Sequence, residues 1–296
     1  MLLAVKFFGE NNKGAQRWID LGFIQLQPSE LTKIIMILVL ATIIGKYHHR
    51  INSFKILTYI IIVFVIPLLL ILDQPDLSTS IVICLMFCVI MYVAGISYKI
   101  IGSVLAVGVI AIGLFFYMIM QPDQKILKDY QLERIQGFLN SEDEKTNEKI
   151  NWQQDQALIA IGSGGMWGKG LYNDDENSVK NGNFISEPQT DFIFSIVGEE
   201  LGFVGTMTVV VLLALICFEC FYMGAHAPDI TGRIICCGFG GLIAIQSFVN
   251  LGVVTKILPN TGLPLPFVSY GLSSLVSLFI GLGIIFNIGL QHKKLL

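Results

Sequence analysis

Seven apolar stretches divide the chain, and each is long enough to cross or nearly cross a membrane as a helix. A bilayer core about 30 Å thick takes roughly 20 apolar residues in helical form. The pattern therefore predicts an all-α, polytopic transmembrane bundle that forms a single membrane domain over residues 1–296. The predicted spans cover residues 29–45, 55–72, 78–95, 98–120, 192–223, 232–255 and 270–290.

The first span differs from the others because it is short and contains Glu30 and Lys33. Two charges in one apolar helix are costly against lipid, so this helix is expected to pack against protein.

Lysine and arginine in the short loops predict the orientation of the bundle. The basic residues of these loops are Lys46, Arg50, Lys55, Lys99, Arg233, Lys293 and Lys294. Alternation of seven spans places all of them on one side, which we assign to the cytoplasm together with the C-terminus. Residues 9–28, 73–77, 121–191 and 256–269 are then expected outside.

The segment 121–191 is the one long polar stretch of the sequence. Its charged portion, residues 140–151, is typical of a solvated loop. Residues 152–171 return to apolar and glycine-rich sequence, which predicts a short interfacial helix followed by a turn on the membrane face.

Composition agrees with a membrane protein, since 54% of the residues are hydrophobic and 14% are charged. The net charge is −3 and no lysine- or arginine-rich block is present, so nucleic-acid binding is not expected. All six cysteines lie in apolar runs, where a thiol behaves as a small hydrophobe. Cys217 and Cys220 have CxxC spacing, but no histidine or second pair accompanies them, which disfavours a metal or redox role.

The glycine-rich run IGSGGMWGKG at 161–170 matches neither nucleotide-binding loop pattern. A phosphate loop needs glycine where Ser163 stands and Ser or Thr where Gly170 stands. The dinucleotide pattern needs a glycine at Trp167. A close-packed turn carrying Lys169 remains, suited either to an anionic headgroup or simply to a sharp reversal of the chain.

Four ionisable residues at membrane depth are candidates for function, because a charge in hydrocarbon costs several kcal/mol and such residues tend to line cavities. They are Glu30, Lys33, Asp76 and Asp191. Glu30 and Lys33 are three residues apart, so a helix places them on one face as an ion pair. A purely structural pair is the alternative, and Glu30 after Pro28 also complements the helix dipole.

Asp191 begins the span that follows the long loop, which places its carboxylate at the outer mouth of the bundle. Partial desolvation there would raise its proton affinity and make it a usable general base. The alternative is a helix-capping aspartate. Glu199 and Glu200 are expected to be packed or hydrogen-bonded structural groups.

Residues 256–274 have three prolines and two glycines at an outer helix boundary. Proline at this density cannot continue a helix, so the segment is expected to form an irregular outer loop. Such loops in membrane proteins line cavities, because their polar backbone needs partners or water.

Eight motifs follow one another along the chain. They are GAQRWIDLG at 14–22, QPSELTK at 27–33, QPDLSTS at 74–80, YQLERIQGFL at 130–139, AIGSGG at 160–165, EPQTDFIF at 187–194, EELGFVG at 199–205 and NTGLPLPFVSYG at 260–271. In identity and in order these motifs resemble the shape, elongation, division and sporulation family of membrane glycosyltransferases, and within it the RodA branch more than FtsW.

The resemblance implies a peptidoglycan glycosyltransferase that joins lipid II units into glycan strands on the outer face of the bacterial cell membrane. A class B penicillin-binding protein is the implied partner. The aspartate of the family's TDFIF segment is essential, and it corresponds to Asp191. As a hypothesis, Asp191 accepts the proton of the acceptor sugar's 4-hydroxyl while that oxygen attacks the anomeric carbon of the donor, and undecaprenyl diphosphate leaves.

The resemblance also implies a set of substrate-binding residues. Glu30, Lys33 and Asp76 match polar positions of the family's central cavity. The leaving diphosphate needs positive charge, for which Arg17, Lys33, Arg134, Lys169 or a divalent cation such as Mg²⁺ or Mn²⁺ are candidates. The remaining candidates from the motifs are Glu187, Thr190 and Ser269.

The sequence departs from the family pattern in several places. Compared with the family's ten or so helices, it begins near the end of the third. Ser78 replaces a glycine, Leu272 replaces a second glycine, and Ser186, Pro188 and Gln189 alter the neighbourhood of Asp191.

Two other functions compete with the enzyme. One is a transporter of lipid II, which the lack of an inverted repeat or of paired broken helices disfavours. The other is a non-catalytic scaffold for the penicillin-binding protein, which the missing helices favour.

Overall fold

The computed structural model describes residues 1–3, 5, 9–12, 15–20, 22, 25–74, 76–103, 106, 144–171, 178 and 188–292. Three short strands come first: β1 Glu10–Asn12, β2 Ala15–Asp20 and β3 Gln25–Leu26. The helices are α1 Pro28–Tyr47, α2 Phe54–Asp73, α3 Leu77–Val93, α4 Glu144–Ser163, α5 Ile193–Ala225, α6 Ile230–Val254 and α7 Leu272–His292. A single 3₁₀ turn, His48–Arg50, follows α1.

The helices confirm the polytopic all-α prediction. Within the described residues, α1, α2, α5, α6 and α7 are long and apolar enough to cross a membrane, and α3 is a shorter apolar helix. These six correspond to six of the seven predicted spans. The remaining span, 98–120, lies outside the described residues except for a helical start at 98–103 and residue 106.

Helix α6 lies at the centre of the bundle and packs against α1, α3, α5 and α7. Small residues let its neighbours approach closely, as is common between membrane helices. A Cβ at Gly238 would stand 3.1 Å from Ile90, and one at Gly241 would stand 2.9 Å from Val89, so α3 fits directly against the glycine face of α6. By contrast, α2 and α5 expose most of their apolar side chains, as expected for helices that face lipid.

Hydrogen bonds group the predicted outer segments at one end of the bundle. Ser273 at the start of α7 accepts from the backbone of Gln27, and Ser78 at the start of α3 donates to the carbonyl of Thr261. At the opposite end, the Asn52 side chain accepts from the backbone N–H of Ser97. The predicted grouping of loops is therefore confirmed, while the assignment of the C-terminal end to the cytoplasm stays a prediction.

Helix α4 and the turn after it confirm the helix and turn predicted for 152–171, while their position at the membrane face stays a prediction. Helix α4 contacts α5 and α6. Its buried Gln154 donates to the carbonyls of Val253 (2.7 Å) and Leu258 (2.8 Å), so the amide joins the helix to the end of α6. Asp155 forms an ion pair with Lys256, while Trp152 and Ile159 remain exposed.

The charge-rich run 140–151 was expected to be a solvated loop, and this is wrong from Glu144 onward, where α4 begins. Glutamate and lysine are good helix formers, so a charged run can form the first turns of α4.

A small three-stranded antiparallel sheet at the outer end was not predicted. Strand β2 pairs with β1 through Glu10–Trp18 and Asn12–Ala15, and with β3 through Ile19–Leu26. The strands are two to six residues long, too short for periodicity to reveal. The one available signal was the glycine at 14 between β1 and β2, since two-residue hairpin loops favour glycine.

Helix α5 is broken at Gly202, whose φ of 65° and ψ of −162° are not helical. The N–H groups of Phe203 and Val204 donate to Gly165 and Met166 of the glycine-rich turn instead of to their own helix. The carbonyls of Glu199 and Glu200 accept in exchange from the N–H groups of Lys169 and Gly170. The turn thus replaces the helical hydrogen bonds that the break removes.

Glycines are required where this turn meets α5. A Cβ at Gly202 would stand 2.4 Å from the nitrogen of Gly168, and one at Gly168 would stand 2.1 Å from the carbonyl oxygen of Glu200. Of the two alternatives for the glycine-rich run, the contacts therefore favour the sharp, close-packed turn.

Candidate active site

The loop between α6 and α7 dips into the bundle and is irregular, as its prolines predicted. Its backbone includes three positive φ angles, at Lys256, Gly262 and Phe267. Because a backbone away from water must find partners within the protein, side chains from the surrounding helices donate to its carbonyls. Ser78 of α3 donates to Thr261, Asn250 of α6 donates to Leu263, and Gln246 of α6 donates to Pro264.

Asp191 lies at the outer end of the bundle, half-buried, immediately before α5. Phe192 takes the N-cap position of α5, so the capping alternative for Asp191 is wrong. The Asp191 carbonyl accepts from Asn250 Nδ2 at 2.8 Å. Its carboxylate faces Gly262, where an added Cβ would stand 3.2 Å from Asp191 Oδ2.

Thr190 and Ser269 join the segment before α5 to the irregular loop. Ser269 Oγ donates to the Thr190 carbonyl and accepts from the backbone N–H of Leu265 at 2.7 Å. The N–H of Tyr270 donates to the carbonyl of Gln189 at 3.0 Å. The structure therefore brings Thr190 and Ser269 together beside Asp191, through the Ser269 hydroxyl and a backbone hydrogen bond from Tyr270.

Glu30 and Lys33 form the predicted ion pair on α1, with Lys33 Nζ 2.9 Å from Glu30 Oε1. Both side chains are almost fully buried, at 3% and 2% exposed. Lys33 also donates to Gln246 Oε1 at 2.8 Å, and Gln246 Nε2 donates to the Pro264 carbonyl at 2.9 Å. The buried charge is thus connected through one amide to the irregular loop.

Asp76 is the N-cap residue of α3, since its carboxylate accepts from both the backbone N–H and the hydroxyl of Thr79. Arg17 of β2 lies beside it, with Nη1 3.8 Å from Asp76 Oδ1. Arg17 Nε donates to the carbonyl of Gln74 at 3.3 Å, and the arginine side chain is still about a quarter exposed. A guanidinium held in this way can also reach an anion at the outer surface.

Lys169 extends from the glycine-rich turn and forms an ion pair with Glu199 of α5 at 2.8 Å. Glu199 is buried, which agrees with its predicted structural role, while Lys169 remains 27% exposed. Arg134 and Glu187 lie outside the described residues.

Sequence reasoning missed Gln246 and Asn250, the two amides of α6 that hold the irregular loop. Their signal was present, because they stand four residues apart in an otherwise apolar span and therefore share one helix face. A polar side chain at such depth needs a partner, and two on one face indicate a polar segment packed against the helix.

The described residues include no group of three or more His, Cys, Asp or Glu side chains placed to hold a metal ion. Magnesium is usually bound by one or two carboxylates together with substrate phosphates, so a divalent cation at the leaving diphosphate stays a prediction. All six cysteines are free thiols.

The arrangement combines a half-buried carboxylate with a guanidinium and a buried, hydrogen-bonded lysine in one outer polar region of a membrane bundle. A carboxylate whose backbone is fixed by hydrogen bonds at the edge of such a region can accept a proton from a hydroxyl. The hydroxyl must come within hydrogen-bond reach. The fold and this region define a polytopic membrane protein with a candidate site for acid–base chemistry at one membrane surface.

The chain belongs to the FtsW/RodA/SpoVE family, whose model, described as cell cycle protein, matches residues 1–294. It is 36% identical over 296 residues to the peptidoglycan glycosyltransferase MrdB of Escherichia coli K12, covering 100% of this chain and 76% of that protein. It is 35% identical to the probable peptidoglycan glycosyltransferase FtsW of Trichlorobacter lovleyi, covering 99% of this chain and 73% of that protein. It is also 33% identical to stage V sporulation protein E of Bacillus subtilis, covering 97% and 75%.

Solved structures agree with the family assignment. The fold matches a chain of a peptidoglycan synthase complex, described for its coordination of polymerization and crosslinking, with a TM-score of 0.75 and 28% identity over 98% of this chain and 79% of that one. It also matches the rod shape determining protein RodA of Thermus thermophilus, with a TM-score of 0.62 and 28% identity over 99% and 75% of the two chains. These matches confirm the family and the all-α membrane fold predicted from the motifs.

Proposed function

We propose that this protein is a peptidoglycan glycosyltransferase that polymerises lipid II at the outer face of the cytoplasmic membrane. The observation that carries the proposal is the position of Asp191, whose half-buried carboxylate lies against Gly262 at the outer end of the bundle. Relatives named peptidoglycan glycosyltransferase match the chain along its whole length, which supports the reaction class.

Asp191 acts as the general base. Its carboxylate takes the proton of the acceptor sugar's 4-hydroxyl as that oxygen forms a bond to the anomeric carbon of the donor. The bond from that carbon to the diphosphate oxygen breaks, and undecaprenyl diphosphate leaves with the electron pair. Attack from the face opposite the leaving group inverts the anomeric configuration.

Arg17 is the described cation best placed to stabilise the leaving diphosphate, because it is partly exposed at the outer end. Lys33 is almost fully buried and is already paired with Glu30 and hydrogen-bonded to Gln246. Its charge therefore acts on the site without direct contact with the diphosphate. Lys169 is paired with Glu199 and belongs to the glycine-rich turn. Fixed positive groups of this kind stabilise charge that develops only in the transition state.

A class B penicillin-binding protein is the proposed partner, which would crosslink the glycan product. The similarity to a chain of a peptidoglycan synthase complex supports this assignment. The proposed orientation places the C-terminus in the cytoplasm, because the lysines and arginines of the short loops gather at that end.

The test is polymerisation of labelled lipid II by the purified chain, together with its partner, in proteoliposomes. The proposal predicts a ladder of glycan products that requires Asp191. Movement of lipid II across the bilayer without polymer would instead indicate a transporter, and partner binding with neither activity would indicate a scaffold.

A further inference from the structure

The side chain of Asn250 connects the two segments that meet at the candidate base. Its Nδ2 donates to the carbonyl of Asp191 at 2.8 Å and to the carbonyl of Leu263 at 2.7 Å. Leu263 directly follows Gly262, the residue that the Asp191 carboxylate faces. One amide group therefore fixes both the backbone of the base and the backbone of the loop opposite it.

The position of Asn250 is rigidly determined. The residue is 1% exposed, and it stands in the last two turns of α6, the most enclosed helix of the bundle. Gln246, one turn deeper on the same face, holds the next carbonyl of the loop, that of Pro264, at 2.9 Å. Three consecutive loop residues, 262–264, are thus held between Asp191 and two amides of α6.

We propose that Asn250 is a positioning residue for the glycosyl transfer, acting through the backbone of Asp191; this inference rests on the proposed function. Asn250 sets the distance between the carboxylate and the irregular loop. Loss of its two hydrogen bonds frees the segment before α5 and moves the base relative to the bound acceptor. A displacement of about 1 Å at a reacting group is enough to lower a rate constant about 100-fold.

The isosteric variant Asn250→Leu isolates this role. Asn250 Oδ1 is buried without a hydrogen-bond partner among the described residues, so the substitution removes only the two bonds made by Nδ2. Ser247→Ala is the matched control, because Ser247 lies one turn away on α6 and its buried hydroxyl has no partner in the described structure. If Asn250→Leu does not accumulate, Asn250→Ser, which replaces the amide with a single hydroxyl donor, takes its place.

The experiment measures kcat and KM for lipid II polymerisation by the full chain with its partner, alongside the fraction of folded protein. We expect Asn250→Leu to lower kcat by about 10- to 100-fold with KM within about twofold of the wild type, and Ser247→Ala to change neither. A kcat near the wild-type value would overturn the inference. So would a fall in activity that merely parallels a fall in the folded fraction, since the role would then be structural.

Hydrogen exchange of the peptides that cover 188–196 and 258–271 separates this inference from the proposed function. If the wild type polymerises lipid II and Asp191→Asn does not, wild-type activity of Asn250→Leu overturns the positioning role but leaves the proposed function standing. If the wild type makes no polymer, the proposed function fails. Exchange in both peptides that is faster in Asn250→Leu than in Ser247→Ala would still support the positioning contact, and unchanged exchange would overturn it.

Discussion

The Asp191 carboxylate faces Gly262 so closely that a methyl group on the glycine would stand 3.2 Å from Asp191 Oδ2. The two residues are far apart in sequence and belong to different connections, one entering α5 and the other leaving α6. Asn250 connects the two connections, because its side chain donates to the carbonyl of Asp191 and to that of Leu263, the residue after Gly262.

Gly262→Ala is expected to lower polymerase activity more than it lowers stability. Gly262 has a φ of 67°, so alanine there costs about 1–2 kcal/mol in backbone strain. The added methyl also crowds the space beside the Asp191 carboxylate, and we expect kcat to fall by about tenfold or more. Polymer formation and thermal unfolding of the purified variant measure the two effects.

Gly22→Ala is the control for backbone strain alone. Gly22 has a φ of 88°, and no described residue lies within 4 Å of an added Cβ. If both variants lost activity equally, crowding of Asp191 would not be the cause.

Substitutions at the buried pair of Glu30 and Lys33 distinguish an effect on folding stability from an effect on polymerase activity. Lys33→Met leaves the Glu30 carboxylate buried without its cation, which is expected to destabilise the protein by about 3–5 kcal/mol. The double variant Glu30→Leu/Lys33→Met removes both charges and is expected to regain most of that stability.

The double variant also tests whether the pair has a functional role. If the pair contributes to substrate binding, the restored fold still polymerises poorly, with a raised KM or a lowered kcat. A double variant that is both stable and fully active would show that the pair is only structural. Thermal unfolding and lipid II polymerisation of the same preparations give both answers.

Gly202→Ala is expected to prevent correct folding or to destabilise the protein severely. An added Cβ would overlap the nitrogen of Gly168 at 2.4 Å and the carbonyl oxygen of Met166 at 2.7 Å. Backbone atoms cannot move aside without breaking the hydrogen bonds that replace the helical ones in α5. The yield and thermal stability of the protein in detergent measure the loss.

Gly170→Ala provides the comparison for Gly202→Ala. Gly170 also has a positive φ, of 99°, but no residue of the described part of the chain lies within 4 Å of an added Cβ. We expect this variant to fold with only the strain cost of about 1–2 kcal/mol. Equal damage from the two substitutions would contradict the proposed role of the close packing.

The sequence predicted the membrane helices well because one physical requirement, about 20 apolar residues for each crossing, dominates their composition. It also predicted the helix and turn after the long polar segment, the irregular loop after α6 and the pairing of Glu30 with Lys33, all of which follow from local pattern or short spacing. The strands β1 to β3 were not predicted because they are short and are stabilised by pairing with one another.

Contacts between segments that are distant in sequence could not be predicted from the local pattern of residues. The break in α5 could be suspected from Gly202, but the exchange of hydrogen bonds with the turn at 165–170 depends on tertiary packing. The same holds for Asn250 and Gln246, whose partners lie in a loop without regular structure. The motifs located Asp191, yet only the fold places Gly262 against it.

The most direct test of the central claim compares Asp191→Asn with Asp20→Asn in lipid II polymerisation by the chain and its partner. Asp20 is an exposed carboxylate in the outer sheet whose Oδ1 accepts from Gly22, and asparagine retains that acceptor. We predict that Asp191→Asn folds normally but forms no glycan ladder, while Asp20→Asn polymerises like the wild type. A full ladder from Asp191→Asn would contradict the assignment of Asp191 as the general base.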